Sequence, residues 1–230
     1  MSDSQTTQAG GCDPVAPMEK HLHCPNTEDC CLTDWMDRPP GDEPVLIMRQ
    51  AWKTHSDLIG GNVRLAWNGE SLLIHATLPD RDIFNPVTEF NEPAYLKGDV
   101  FEIFLRPVSQ AAYYELHISP SNQHYQARFP KNLAEAQEGE IIRSKPVTVP
   151  LKSVVRIDRP NERWEVFAEI PLDAISENSI QPGSQLLASF SRYDYTRTAD
   201  GMTQELYSTS LHKKLSFHRQ QEWTLVTLGF

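Results

Sequence analysis

Residues 95–130, YLKGDVFEIFLRPVSQAAYYELHISPSNQHYQARFP, decide the fold that the sequence predicts. Three short segments of this stretch are rich in aromatic and β-branched residues, and turn residues separate them. Pro107 and Pro120 follow the first two segments, where a residue without an N–H favours the end of a strand. The stretch therefore predicts three antiparallel strands joined by two turns. The predicted strands are residues 99–105, 113–118 and 124–129.

The two faces of these predicted strands differ in polarity, because successive side chains of a strand point to opposite sides of a sheet. One face has no charged residue, and we expect it to face the core: Phe101, Ile103, Leu105, Tyr114, Leu116, Ile118, Tyr125, Ala127 and Phe129. The other face carries the acidic and basic side chains: Val100, Glu102, Phe104, Tyr113, Glu115, His117, His124, Gln126 and Arg128.

Acidic side chains are expected to meet on this second face. If the two hairpins close symmetrically about their turns, Glu102 lies opposite Glu115, which in turn lies opposite Gln126. The same closure places Arg128 opposite Tyr113. Carboxylates directly across a strand pair repel each other, so stability alone does not explain this pairing. Two hypotheses stay open: a polar cluster that binds a ligand, and a solvent-exposed sheet face on which Arg128 neutralises the acids.

Length, composition and charge narrow the class of protein. The chain has 230 residues, of which 39% are hydrophobic and 17 are proline, as is typical of a loop-rich β protein. A formal net charge of −10 argues against nucleic acid as a partner, because such a surface needs a basic field. No run approaches the roughly 20 apolar residues of a membrane span. The first residues lack the basic and apolar regions of a signal peptide, so we expect a cytoplasmic protein, or a secreted one if an export signal has been removed.

The first 44 residues are predicted to form an extended arm ahead of a domain at residues 45–230, because they are polar and show no strand or helix period. The arm contains all four cysteines of the chain. One hypothesis is reduced thiols in an arm that lies on the domain. The other is a zinc site of mixed ligands that includes His21 and His23. The cysteines are Cys12, Cys24, Cys30 and Cys31.

Several short motifs, taken together and in order, carry a resemblance to a known family. They are GDVFEIFLRP at 98–107, YYELHISPSN at 113–122, W-x5-IPL at 164–172, PGS at 182–184, FSRYDY at 190–195 and SFH at 216–218 with Trp223. Over roughly residues 45–230, the chain resembles the family 9 carbohydrate-binding modules and their relatives with a DOMON-like β-sandwich. The resemblance implies an all-β fold, an antiparallel β-sandwich of the jelly-roll or immunoglobulin-like kind with short helical turns. It also implies non-catalytic binding of sugar ends, in the service of polysaccharide breakdown.

The resemblance bears on three further places in the chain. Tyr95 precedes the G-D-x-x-E segment, at a place where sugar-binding members often carry a stacking tryptophan. A tyrosine ring can also stack on a sugar, but it covers less area than a tryptophan ring does. Arg192 lies near the family's site region and is a candidate partner of Glu102; the alternative is an internal salt bridge to that same glutamate. Asp80 and Asp82 are candidate ligands of a structural calcium ion, which prefers such oxygens, or are turn residues.

The predicted function is the binding of a saccharide. Carboxylates and a guanidinium can bind sugar hydroxyls through charge-assisted hydrogen bonds, and aromatic rings can cover the C–H face of a sugar. The candidate ligand-binding residues are Tyr95, Glu102, Tyr113, Glu115, His117, Gln126, Arg128 and Arg192.

Three other functions stay open. A haem-binding electron-transfer domain of the DOMON type would need His117 or His124 as an axial ligand, together with a methionine or a second histidine. A glycoside hydrolase could use Glu102 and Glu115 as a retaining pair, although catalytic carboxyls must flank a bond, whereas neighbours on one sheet face point the same way. The third alternative is an interaction domain without a small ligand.

Overall fold

Thirteen strands and one short α-helix, α1 (Leu32–Asp37), make up most of the regular structure. The computed structural model describes residues 21–27, 30–38, 41, 43–131 and 143–230. In this part of the chain no helix has the length and apolar composition needed to cross a membrane. The strands are β1 (His21–Cys24), β2 (Val45–Met48), β3 (Gly61–Trp67), β4 (Ser71–Pro79), β5 (Val100–Pro107), β6 (Tyr113–Ile118), β7 (His124–Phe129), β8 (Lys145–Pro146), β9 (Lys152–Asp158), β10 (Arg163–Pro171), β11 (Gln185–Thr198), β12 (Gly201–Ser208) and β13 (Thr224–Leu228).

The strands form two sheets that pack face to face. The larger sheet has eight strands in the order β1-β13-β11-β5-β6-β7-β8, and β12 pairs with the second half of β11. The smaller sheet has five strands in the order β2-β3-β4-β10-β9. All of these pairs are antiparallel except β1 with β13. Short 3-10 turns, such as Ala94–Leu96 and Leu172–Ala174, connect strands. This arrangement confirms the predicted all-β sandwich.

The core lies between the two sheets. Trp67 and Trp164 are among its largest fully buried side chains, and each buried large apolar side chain stabilises the fold by about 1.5–3 kcal/mol. The predicted core faces of β5 and β6 are confirmed, since their members are all buried in this cluster: Phe101, Ile103, Leu105, Tyr114, Leu116 and Ile118.

The pairing of β5 with β6 keeps the predicted faces but shifts the partners by two residues. Glu102 lies opposite His117 and not opposite Glu115, so the predicted pair of glutamates was wrong. The physical reason is that β5 continues to Pro107, and the chain turns only there, where the Gln110 N–H donates to the Pro107 carbonyl (3.2 Å). Because a shift of two residues preserves the alternation, Glu102 and Glu115 still share a face.

Strand β7 presents the opposite face from the one predicted. The five residues 119–123 form the loop before it, and this odd number places Ile118 directly opposite His124. Asn122 adopts a left-handed conformation in that loop (φ 60°). A change of register by one residue moves every side chain of a strand to the other face of the sheet. The three residues that share the face of Glu115 are therefore Tyr125, Ala127 and Phe129, and those on the other side are His124, Gln126 and Arg128.

Two elements lie within the first 44 residues, where no strand or helix was predicted. Strand β1 buries Leu22 and Cys24 in the core. Helix α1 packs Trp35 on the outer face of the smaller sheet, against Leu73 and Phe167. The prediction that this segment lacks regular structure was therefore wrong for these residues. The division of the chain at residue 44 stays a prediction. The sequence of residues 133–139, LAEAQEG, favours a short helix, and these residues lie outside the described part of the chain.

The described cysteines are free thiols. Burial raises the pKa of Cys24, which makes this thiol a poor metal ligand. Cys31 donates from Sγ to the Asp34 carboxylate (3.0 Å) near the start of α1. In the described ranges, two groups of His, Cys, Asp or Glu side chains are close enough together to hold a metal ion. Neither group contains His21, His23 or a cysteine. These residues do not fit the zinc hypothesis.

Candidate functional site

A cavity of about 460 Å³ opens on the outer face of the larger sheet, on the side away from the core. This volume lies in the range of ligand pockets, ~300–1,000 Å³. Six aromatic rings, two carboxyl groups and one imidazole line the cavity, and no Lys or Arg of the described ranges does. Side chains of β5, β6, β7 and β11 form its floor, while residue 95 and residues 215–218 contribute walls. The side chains that define its chemistry are Tyr95, Glu102, Glu115, Tyr125, Tyr193 and His218.

Strand alternation brings the polar groups of the floor together. Glu102 on β5 shares a face with its partner His117 on β6, and Glu115 is two residues from that histidine on the same face. On the other side of β5, Ser191 of β11 lies opposite Glu102. Tyr193 therefore projects from the same face as the two glutamates.

His117 lies between the two carboxyl groups. Its Nε2 donates to Glu115 Oε1 at 2.7 Å and lies 3.2 Å from Glu102 Oε1. All three residues are buried, with exposed fractions of 2% for Glu102, 8% for Glu115 and 0% for His117. Among the described residues, neither Glu102 Oε2 nor His117 Nδ1 has a hydrogen-bond partner. Since buried polar atoms nearly always have a partner, Glu102 Oε2 is free to bind a group that enters the cavity.

The environment pushes the pKa values of these three groups apart. Burial, reinforced by the charge of Glu115, raises the pKa of Glu102 to about 8, against the opposing effect of His117. Burial would also raise the pKa of Glu115, but the hydrogen bond and charge of His117 outweigh it and lower this pKa. Burial would lower the pKa of His117, but both carboxylates outweigh it and raise that pKa. Near pH 7, Glu115 is ionised and Glu102 carries a proton, and the neighbouring carboxyl groups favour the protonated form of His117.

Aromatic rings surround the two carboxyl groups. The Tyr95 ring lies 6.2 Å from Tyr125 and 6.0 Å from Tyr193, measured between centroids. Burial raises the pKa of all three tyrosines, and the nearby charges of Glu102 and Glu115 raise it further. The hydroxyl of Tyr195 donates to the Tyr95 carbonyl (2.8 Å), which fixes the turn that carries Tyr95. A ligand in the cavity would therefore contact both apolar ring surface and carboxyl oxygens.

Tyr113 supports a wall of the cavity from behind. It is fully buried and stacks on Phe129, with 4.6 Å between ring centroids. Its hydroxyl is hydrogen-bonded to His218 Nδ1 (2.8 Å), so that His218 Nε2 points toward Glu115 at 3.8 Å. Burial lowers the pKa of His218, so this imidazole is neutral near pH 7. Tyr113 therefore positions His218 and does not itself line the cavity.

Gln126 and Arg128, two predicted ligand-binding residues, lie on the opposite face of the sheet. Gln126 is buried, and its Oε1 accepts a hydrogen bond from the Val149 N–H (2.5 Å). Arg128 forms an ion pair with Glu177 (2.9 Å). The predicted pairs of Gln126 with Glu115 and of Arg128 with Tyr113 were wrong, because the loop before β7 has an odd number of residues. Neither side chain lies in the cavity.

Arg192 is also outside the cavity. Its side chain is fully buried on the core side of β11, where it donates to the carbonyls of Gly60 (2.9 Å) and Pro79 (2.7 Å). It forms ion pairs with Asp80 (3.0 Å) and Asp194 (3.1 Å). Both predicted contacts with Glu102 were wrong, because Ser191 is the residue opposite that glutamate and Arg192 points the other way.

The two aspartates assigned to calcium bind different arginines. Asp80 forms its ion pair with the buried Arg192, and Asp82 forms one with Arg197. A second convergence of carboxylates in the described part of the chain consists of Asp80, Asp99 and Asp194, with Arg192 among them. A guanidinium in this position supplies the positive charge that a calcium ion would bring, so Asp80 and Asp82 do not fit a shared calcium site.

Several cavity residues were not predicted. Tyr125 and Phe129 were assigned to the core because the register of β7 was wrong by one residue, and counting the residues of loop 119–123 could have found this. Tyr193 and Phe217 come from distant parts of the chain, and only the packing of β11 and of residues 215–218 places them here. His218 lies in the SFH motif, which gave no indication of its proximity to Glu115.

Comparisons with known proteins identify relatives in fold. No protein-family model and no curated protein matches the chain. A candidate carbohydrate-binding protein from Bacteroides uniformis ATCC 8492 aligns with a TM-score of 0.66 and 14% identity, over 91% of this chain and 99% of that one. A family 9 carbohydrate-binding module from Caldicellulosiruptor kristjanssonii, in complex with cellotriose and with glucose, aligns with a TM-score of 0.60 and 11% identity. These two alignments cover 91% of this chain and 93% and 96% of those chains. The chain therefore has the β-sandwich fold of the family 9 carbohydrate-binding modules.

Proposed function

We propose that the cavity on the larger sheet binds a saccharide without transforming it. The observation that carries this proposal is the convergence of two carboxyl groups and six aromatic rings in one cavity of about 460 Å³. Carboxyl oxygens can accept hydrogen bonds from sugar hydroxyls, and the protonated Glu102 can also donate one. Aromatic faces can cover the C–H groups of a pyranose ring. The cavity supplies both kinds of contact at once.

The structural neighbours support this proposal, because the module from Caldicellulosiruptor kristjanssonii was solved with glucose and with an oligosaccharide of the same sugar. We further propose that the binding serves polysaccharide breakdown, by holding the protein on its polymer. The DOMON-like part of the predicted resemblance stays a prediction.

The test is isothermal titration calorimetry with mono- and oligosaccharides, using variants of two residues on opposite faces of the sheet. Glu115→Ala removes a carboxylate that lines the cavity, and we expect it to weaken binding at least about tenfold, a loss of about 1.4 kcal/mol. Arg128→Ala is the matched control, since its side chain lies on the far face and pairs with Glu177.

We expect Arg128→Ala to bind as the wild type does. The proposal fails if no saccharide binds the wild type, or if the Arg128 variant loses as much affinity as the Glu115 variant. Unchanged thermal unfolding of both variants would show that each is folded.

The hydrolase and haem alternatives gain no support from the geometry. Glu102 and Glu115 both approach the same nitrogen of His117, so they lie on one side of any ligand, whereas a glycosidase needs carboxyls that flank the bond. His117 and His124 are on opposite faces of the sheet, because His124 lies opposite Ile118. They cannot both bind one haem iron.

A further inference from the structure

Two carboxyl groups line the cavity, and few basic groups of the described residues face them. The two cations predicted for the site, Arg128 and Arg192, lie on the other side of the sheet. Of the described residues that line the cavity, none is a lysine or an arginine. His117 lies beneath the floor and contacts both carboxyl groups, to which it brings one positive charge when it is protonated. When both carboxyl groups are ionised, the floor therefore has a net negative charge.

The second observation is the free oxygen of Glu102. This side chain is almost fully buried yet lines the cavity, and its Oε2 lacks a partner within the described part of the chain. A buried carboxyl oxygen in this state is incompletely satisfied until a hydrogen-bond donor reaches it. A donor with a positive charge satisfies it best, since charge-assisted hydrogen bonds are the stronger kind.

The third observation is the arrangement of rings around that oxygen. Tyr95, Tyr125 and Tyr193 lie about the carboxyl groups, with the Tyr95 ring about 6 Å from each of the other two. Faces of aromatic rings attract ammonium groups through their electron-rich surface, most strongly where water is excluded. Rings around a buried carboxylate thus form a cage suited to an organic cation.

We propose that the saccharide bound in this cavity is an amino sugar, with a free ammonium group that contacts Glu102 and the tyrosine cage. This inference rests on the proposed saccharide binding and specifies its ligand class. The hydroxyl groups and C–H surface of the sugar contact Glu115 and the remaining rings, as they would for a neutral sugar. The ammonium group adds an ion pair that glucose cannot form.

The proton on Glu102 gives the binding of an amino sugar a pH dependence that the binding of a neutral sugar lacks. In the free protein Glu102 carries a proton at pH 7, because burial raises its pKa to about 8. An ammonium ion favours the ionised carboxylate, so binding of an amino sugar releases a proton. Affinity then falls by up to about tenfold for each pH unit below 7, whereas binding of a neutral sugar releases no such proton. The titratable groups that face Glu102 are His117 and Glu115 on β6, Tyr95 in its turn, Tyr125 on β7, and Tyr193 and Tyr195 on β11.

The experiment compares glucosamine, glucose and N-acetylglucosamine by calorimetry on the full chain at pH 7, in two buffers that differ in ionisation enthalpy. We expect glucosamine to bind at least about tenfold more tightly than the other two, and to release a proton that glucose does not. Glu102→Gln keeps the size of the side chain but removes its charge, and should abolish both the preference for glucosamine over glucose and the proton release. Glu177→Gln, an exposed acid on the far face, is the matched control.

The possible results separate the two proposals. Equal binding of glucose and glucosamine, without proton release, overturns the amino-sugar inference and leaves saccharide binding intact. Absence of binding by all three sugars and their oligosaccharides overturns saccharide binding itself. Loss of glucosamine binding in EDTA would overturn the inference as well, because the two glutamates and His117 would then hold a divalent ion instead of an ammonium group.

Discussion

The guanidinium of Arg192 is completely buried and has oxygen atoms of four residues within ion-pair or hydrogen-bond distance. They belong to Gly60, Pro79, Asp80 and Asp194. The side chain of Asp80 is also buried, with an exposed fraction of 1%. Removing one partner of such a pair leaves the other charged and without water, and this is costly even where the intact pair contributes little.

Arg192→Met, which keeps much of the side-chain volume, is therefore expected to lower the free energy of unfolding by about 3–5 kcal/mol. Arg197→Met removes the exposed partner of Asp82 and should cost less than about 1 kcal/mol. Urea unfolding of the wild type and both variants at pH 7 measures the difference. Similar losses for the two variants would contradict the importance of burial at Arg192.

At this scale, the sequence predicts residues whose role depends on local alternation. Glu102 and Glu115 share a face because alternation along each strand fixes the side of the sheet from which a side chain projects. The observed pairing of β5 with β6 differs from the predicted one by two residues, and a shift of two residues leaves that side unchanged. Arg192 could not be placed in the same way. Its partners Asp80 and Gly60 are more than one hundred residues away in the sequence, and no local pattern specifies them.

The segment between β12 and β13 forms one wall of the cavity with Phe217 and His218. Glu222 organises this segment. Its carboxylate accepts hydrogen bonds from Arg219 (2.8 Å) and from the Lys213 N–H (3.3 Å), and is hydrogen-bonded to His212 Nδ1 (3.1 Å). The hydrogen bonds of Arg219, which outweigh burial, together with those of His212 and Lys213, lower the pKa of Glu222 to about 2.

A carboxyl group whose pKa is depressed on folding stabilises the folded state at a pH above its unfolded value, and loses that effect as the pH falls through the folded value. We therefore expect Glu222→Gln to be less stable than the wild type at pH 7, by on the order of 1 kcal/mol after solvent screening. The difference should shrink between pH 4.5 and about 2. Urea unfolding at several pH values tests this, with the exposed Glu162→Gln as control; a difference that does not change with pH would contradict it.

Among the elements, strands with strong aromatic and β-branched content were predictable, and short elements stabilised by distant contacts were not. Residues 113–118 and 124–129 are the strands that the sequence predicted. Strand β1 has four residues and α1 has six, too few for either to be stable alone. Strand β1 forms because it pairs with β13, and α1 forms because Trp35 packs against Phe167 and Leu73 on the smaller sheet.

In the whole molecule, the N-terminal elements β1 and α1 complete the packing of the sandwich that residues 45–230 form. Leu22 and Cys24 are part of the core, and Trp35 covers the outer face of the smaller sheet. Without them, the edge of β13 would be unpaired and apolar surface would be exposed to water.

A chain of residues 45–230 is therefore expected to fold with a free energy of unfolding at least about 3 kcal/mol below that of the full chain, from the loss of these buried side chains. It should also bind a hydrophobic dye such as ANS more strongly. Chemical unfolding of both chains makes the comparison. Equal stability would favour the alternative that residues 1–44 are an arm independent of the domain.

The overall architecture could be predicted because alternation in the central strands specifies a two-layer β fold. The complete cavity could not. Four of its six rings come from residues 95, 125, 193 and 217, which meet only after β11 has inserted between β5 and β13. The prediction identified the acidic floor of the cavity and missed most of its aromatic walls.

Strand β11 belongs to two environments at once. Phe190 and Arg192 point into the sandwich, whereas Ser191 and Tyr193 project from the face of the sheet that carries the cavity. Changing every residue of this strand in turn should therefore yield two interleaved sets of phenotypes, with even-numbered positions altering the melting temperature and odd-numbered ones near Tyr193 altering ligand selectivity. Substitutions at these odd-numbered positions would therefore change the lining of the cavity while the core face of the strand keeps its packing.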